Sequence, residues 1–323
     1  MLNAKNKTLV DAIQRKRNCA RSSCRVYASN LRRIHREFSD QPWSTGLKWL
    51  QDEAILGKIK KLESTNVKRN LANASAVGLS VIGDDKLKQK YTELLDELRK
   101  TKPDRALSSR QKENFVKWSD VIKLKRHYSR LVRLKRLYSK DALTTKDFLN
   151  LQRNLVLNLY VSMNPIRLDY ANTRIISEKQ FQTIKKDGTT NYLVTGKRYR
   201  FYFYQYKTSR KHGIITLRPP PKLVSVLKKH SAFLRRRYEE PIWLLLNSRR
   251  QRMTRNGLSK FMTTMFVDHY DKKISASMLR TIFLSHKYQG VDIEEREQTA
   301  KSMMHTRETQ ENSYIKQTDG ESE

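Results

Sequence analysis

The chain of 323 residues carries 67 Lys and Arg against 32 Asp and Glu, a formal net charge of +35. Self-repulsion on that scale serves no purpose in a small-molecule enzyme, so the composition points to a polyanionic partner. Apolar residues at 37%, including 15 Tyr, 10 Phe and 4 Trp, are enough for packed cores and exclude general disorder.

The length suits two domains. No run reaches the roughly 18–20 apolar residues of a membrane-spanning helix, and no apolar segment follows Lys5 and Lys7 to make a secretory signal. Cys19 and Cys24, with no second pair, support neither a disulfide framework nor a zinc cluster, so a reducing, intracellular setting is expected. There is no G-x-G-x-x-G, and Gly78 and Gly83 are followed by Asp84-Asp85 where a phosphate loop needs Lys-Ser/Thr. No nucleotide, metal or other cofactor is expected.

Residues 1–18 are polar and basic and read as an N-terminal arm. From Ser22 or Ser23, either of which can cap a helix, Tyr27, Leu31, Ile34 and Phe38 recur at helical spacing. Arg25, Arg32, Arg33 and Arg36 take the opposite face and are candidate DNA contacts. Helical periodicity resumes over 46–62, 67–79 and 86–98, so 19–100 reads as a small helical domain. The segment 101–109, around Pro103, reads as a linker, and 110–316 as a second domain.

Residues 105–140 hold 12 Lys and Arg against Glu113 and Asp120. Val121, Leu124, Tyr128, Leu131, Leu134 and Tyr138 form an apolar stripe through them, which makes a basic amphipathic helix. A merely solvated face is the bland reading. At this charge density, contact with DNA phosphates through Lys123, Arg126, Arg130 and Arg133 is expected instead. A helix over 146–163 precedes β-rich stretches at 192–194, 198–206 and 214–218, separated by Gly188, Gly196 and Gly213. Helices over 222–238, 254–270, 277–289 and 294–304 follow. The expected fold class is mainly α with a small antiparallel β-sheet (α+β). The last 32 residues hold nine acidic against four basic side chains, and 317–323 reads as an acidic tail.

Carboxylates are sparse and do not cluster, which disfavours two-metal phosphodiester chemistry. The alternative is a cage of cations around a phosphate and a side-chain nucleophile. A suitable set runs in order along the second domain. Pro165-Ile166-Arg167-Leu168-Asp169-Tyr170 ends a helix, and Lys207 follows the strand Phe203-Tyr204-Gln205-Tyr206. Met278-Leu279-Arg280-Thr281-Ile282-Phe283 opens a helix, His305 lies 25 residues beyond Arg280, and Tyr314 nine beyond His305. Each has a bland alternative. Arg167 is one of many cations, Lys207 competes with Arg210 and Lys211, and His286 reads as a core residue or one that supports the site from behind. His305 could cap a helix, Ser277 could cap the helix that carries Arg280, and a Tyr near a C-terminus usually packs.

The boxes in this order resemble the tyrosine recombinase (phage-integrase-type) family. Ser23-Cys24-Arg25-Val26-Tyr27-Ala28-Ser29-Asn30-Leu31 is similar to the first helix of that family's core-binding domain. The resemblance implies Arg167, Lys207, Arg280 and His305 as catalytic groups around Tyr314, the nucleophile that forms a 3′-phosphotyrosyl intermediate without metal or cofactor. It also implies double-stranded DNA as partner, gripped by both domains as a clamp, with a dimer at each site and a tetrameric synapse. Two departures stand out. Ser277 occupies the position of a family His and is its candidate substitute. Tyr170 occupies that of a family acid, with Asp169 one residue earlier, a variant associated with the branch in large eukaryotic DNA viruses and mobile elements. Three readings remain open: a recombinase or integrase, a type IB topoisomerase-like relaxase, and a non-catalytic DNA-binding relative.

Overall fold

The computed structural model describes residues 4–100, 107–288, 293–306, 309–310 and 314; the tail 317–323 and linker residues 101–106 lie outside them. The chain divides into two compact units, Met1–Pro103 and Asp104–Glu323.

The first unit is helical: α1 (Ala4–Arg17), α2 (Arg21–Phe38), α3 (Ala54–Lys60), α4 (Thr65–Ile82) and α5 (Asp85–Lys100), with a 3-10 turn at Lys48–Gln51. Leu31 and Ile34 of α2, Leu71 and Leu79 of α4, Tyr91 of α5 and Trp49 share one core. Residues 4–17 are not the loose arm expected from their polarity. Leu9, Val10 and Ile13, spaced on one helical face, are buried in that core and hold α1 down. Nor do Ser22 or Ser23 cap α2; Ala20 stands at the N-cap without a side-chain bond. The start of α2 is set by burial of Cys24 and Ala28. Gly78 allows α4 its close approach: a Cβ there would lie 2.7 Å from Leu50 Cδ2 and 2.9 Å from Leu31 Cδ2.

The second unit contains α6 (Ser109–Glu113), α7 (Trp118–Leu134), α8 (Thr145–Ser162), α9 (Glu178–Thr183), α10 (Ser209–His212), α11 (Pro221–Arg235), α12 (Arg255–Tyr270), α13 (Ala276–Lys287) and α14 (Ile293–Ser302). Four strands, β1 (Thr173–Ser177), β2 (Asn191–Thr195), β3 (Arg200–Phe203) and β4 (Ile215–Leu217), pair in chain order. The sheet is mixed rather than wholly antiparallel. β1, absent from the sequence reading, runs parallel to β2, whereas β2, β3 and β4 are antiparallel. Its apolar content is only Ile175-Ile176, too short a run to stand out. A parallel partner needs a crossover, and Ser177 starts one by capping α9 through its bond from Gln180 N. Ile175, Leu193 and Phe201 enter the main core, while Ile176, Tyr192 and Val194 pack with Phe181 on the other face.

The α7 stripe also ends earlier than expected. Trp118, Val121, Leu124, Tyr128 and Val132 are buried, but Leu134 is 66% exposed. Arg136 adopts a left-handed φ of 47°, and the Leu137 and Arg136 N–H groups bond back to Val132 and Arg133 carbonyls at 3.1 Å. This is a Schellman ending with Leu137 tucked into the core. α8 runs alongside, burying Phe148, Leu151, Leu155 and Leu159, and its C-terminal end delivers the chain to Arg167.

Candidate active site

Arg280 lies in the second turn of α13, whose N-cap is Ser275, accepting from Met278 N at 3.3 Å. Ser277 is therefore not the cap. It is exposed on the first turn of the helix. Neighbouring Leu279 and Ile282 are buried, and their packing carries the Arg280 side chain to full burial. A guanidinium has five donors and no acceptor, so a buried one must find oxygens, lone pairs or an anion. Arg280 Nη1 donates to Tyr314 Oη at 2.7 Å, and Nη2 donates to the Met303 carbonyl at 3.3 Å. Nη2 also contacts His305 Nδ1. The guanidinium carbon sits 4.2 Å from the centroid of the Tyr314 ring.

The turn after α14 brings the rest together. Met304 takes a left-handed φ of 59°, uncommon for a side chain of its size. Consecutive carbonyls then serve two cations: Met303 accepts from Arg280, and Met304 accepts from Arg167 Nη1 at 3.2 Å. Arg167 is fixed from behind, because buried Tyr160 of α8 donates to its carbonyl at 2.5 Å. His305 N–H bonds to the Ala300 carbonyl at 3.1 Å, and its ring lies 5.4 Å from that of Tyr314. Tyr314 itself packs with Leu284, Tyr288 and Met303.

The electrostatics follow from this burial. Desolvation lowers the Arg280 pKa to about 10, with Arg167 also disfavouring its charge, so it remains cationic at neutral pH. Desolvation, then the Arg280 charge, lowers His305 to about 3. His305 is therefore neutral. Its Nδ1 faces both the Arg280 guanidinium and, at 3.3 Å, the Met303 carbonyl, the same carbonyl that accepts from Arg280. Nε2 is buried and forms no well-shaped hydrogen bond among the described residues, although the buried Gln310 side chain stands near enough to favour the charged ring. Neither Arg167 nor Arg280 forms a salt bridge with a described carboxylate. Among the described residues, the carboxylate whose charge Arg280 feels is Asp169, and it pairs instead with Arg255 of α12. Burial raises its pKa, against the pull of Arg255, Arg167 and Arg280.

Arg167, Arg280, His305 and Tyr314 thus converge. Lys207 does not join them by any contact among the described residues. It is exposed in the turn between β3 and α10, a connection fixed by Tyr206 Oη donating to the Gly213 carbonyl at 2.8 Å. His286, expected in the core or behind the site, is exposed in the last turn of α13, because the helix turns that face to solvent. Tyr160, Arg255 and the Met303 and Met304 carbonyls were not foreseen. Arg255 is one of 67 cations with no motif around it, and backbone carbonyls leave no mark in a sequence. A polar cavity of about 610 Å³, lined by Asn172, Gln205, Arg252 and Arg255 among others, opens beside the Asp169–Arg255 pair.

Among the expected DNA contacts, Arg25, Arg32 and Arg36 of α2 are exposed. Arg33 and Arg36 each hold Glu37 at 3.0 Å, and Arg32 lies over the Trp43 ring at 5.6 Å. On α7, Lys123 pairs with Asp120 at 3.0 Å, whereas Arg126, Arg130 and Arg133 are exposed without an ion-pair partner among the described residues. No described helix is long and apolar enough to cross a membrane.

No family model matches the sequence, and no curated protein matches it. Among solved structures, the XerA recombinase aligns over 98% of this chain and 95% of that chain, with a TM-score of 0.38 and 13% sequence identity. At so low a score, the site stands on its own contacts.

Proposed function

We propose that the chain is a site-specific DNA strand-transferring enzyme of the tyrosine recombinase type. One observation carries the reading. A fully buried guanidinium with no carboxylate partner among the described residues donates to the phenol oxygen of Tyr314, with a second guanidinium and a neutral imidazole beside it. A buried cation left uncompensated is costly, and a phosphate bound there would supply the missing charge. Arg167 and Arg280 would grip its non-bridging oxygens, and the His305 imidazole would donate to one of them as negative charge builds.

In this reading Tyr314 Oη attacks the phosphorus in line and gives up its phenol proton to water. The P–O5′ bond breaks, a P–O bond to tyrosine forms, and a 3′-phosphotyrosyl ester holds the strand. The departing 5′ oxygen takes a proton from Lys207, whose turn would have to bring it to the phosphate once DNA is bound. A 5′-hydroxyl from a second strand then reverses the step and frees the tyrosine. Ser277, one helical turn before Arg280, is the candidate substitute for a further proton-transfer group. Two protomers at each site and four in a synapse would let two duplexes exchange strands.

The test is trapping. Incubation with nicked duplex should give a covalent protein–DNA adduct that Tyr314→Phe abolishes while DNA binding survives. No adduct with any duplex from a genomic library would overturn the proposal. Relaxation of supercoils without joined products would reassign the same chemistry to a relaxase.

A further inference from the structure

A second concave site lies in the same unit, between α7 and α11. Its cavity is about 730 Å³ and its walls carry six cations: Arg126, Arg130, Arg133, Arg136, Lys229 and Arg236. The first three fall at helical spacings of four and three on α7, so they share a face. Lys229 and Arg236 lie two turns apart on α11 and at its end. No carboxylate lines the cavity. Among the described residues only Arg236 is hydrogen-bonded, donating to the Tyr138 carbonyl at 2.8 Å, and none of the six forms an ion pair. Ser139 and Ser225 add hydroxyls between the cations, while that of Ser129 donates to Asn154 Oδ1 at 2.9 Å.

Arg136 supplies an independent observation. It holds the left-handed position of the Schellman ending, where glycine or asparagine is usual, at a φ of 47°. A side chain kept in a conformation that disfavours side chains, at the lip of a cationic cavity, points to a role for that side chain in the cavity.

Size and charge together select the ligand. A sphere of this volume is roughly 11 Å across, within the ordinary range for small-molecule sites. One DNA strand advances about 3.4 Å per phosphate, so a duplex edge could offer this cavity about three charges. Six converging cations are better matched by an anion that concentrates its phosphates. We propose that the α7–α11 cleft binds a compact polyphosphate carrying about six negative charges, of the class of inositol polyphosphates or linear polyphosphate. This site goes beyond the proposed strand-transfer chemistry and reassigns Arg126, Arg130 and Arg133 from duplex DNA to a small anion.

Calorimetric titration of the full chain with inositol hexakisphosphate and, separately, with tripolyphosphate tests the site and tells the two sources apart. Saturable one-to-one binding is expected with at least one of them, and the double variant Arg130→Gln/Lys229→Gln should weaken it at least tenfold with an unchanged Tm. Arg136→Gly is the sharper variant. It should weaken binding while raising Tm, because it removes a cation and a backbone strain together. Absence of saturable binding, or affinity unchanged in these variants, overturns the proposal. So does loss of duplex binding in them matched by full displacement of the polyphosphate by duplex DNA, which would make the cleft a DNA contact. Adduct formation through Tyr314 is scored in parallel, so failure at the cleft and failure of the strand-transfer reading are separately visible.

Discussion

Arg280 and Tyr314 are joined by one hydrogen bond and one cation–ring contact, with the cation fully buried. Arg280→Lys keeps the charge but loses the planar fork that spans Tyr314, His305 and the Met303 carbonyl. Adduct formation should fall by about 10²–10³-fold, the usual cost of removing one preorganised donor, and rates of trapping on nicked duplex would measure it. Two histidines give the fold a pH dependence of known sign. Burial lowers His230, whose Nε2 donates to the Leu244 carbonyl at 3.2 Å, to about 4, and His305 to about 3. Both are depressed below the unfolded value of about 6.5, so the unfolded chain binds more protons below that pH. Stability is therefore retained above pH 6.5 and declines as pH falls toward 4, by up to about 1.4 kcal/mol per pH unit for each group. Urea midpoints at pH 7, 5.5 and 4.5 should fall in that order, and His230→Gln should flatten the trend.

Helix α4 depends on the absence of a side chain at Gly78, where the Cδ2 atoms of Leu50 and Leu31 fill the space. Gly78→Val should destabilise the first unit by about 1–3 kcal/mol through overpacking, read as a lower urea midpoint, despite valine's better helix propensity. The elements were legible in the sequence to different degrees. The cores of α2, α8, α12 and α13 follow apolar spacing that any helix would bury. α1 was hidden by the lysines and arginines that surround Leu9, Val10 and Ile13, and β1 by an apolar run of only Ile175 and Ile176. The end of α7 was hidden for another reason. Continuing the stripe to Leu134 and Tyr138 assumes an unbroken helix, but Arg136 in a left-handed conformation ends it and sends Leu137 inward instead.

Tyr314 meets Arg280 of its own chain, so a catalytic set lacking either residue should not be completed by mixing. Protomers bearing Arg280→Ala and Tyr314→Phe, each inactive alone, should form no adduct when combined on one duplex; restored adduct would mean that the tyrosine is lent between subunits. The net charge of +35 already points to a polyanionic partner, and the order of the C-terminal boxes singles out Arg167, Arg280, His305 and Tyr314 as candidates, because charge and residue order are properties of the chain itself. Tertiary structure decided which of these groups touch, that Lys207 makes no contact with them among the described residues, and that burial keeps His305 neutral. It also gathered six cations into a cleft from two helices roughly a hundred residues apart. Burial and proximity arise only when distant segments pack, and those two quantities set hydrogen-bond partners, protonation states and the shape of a binding site.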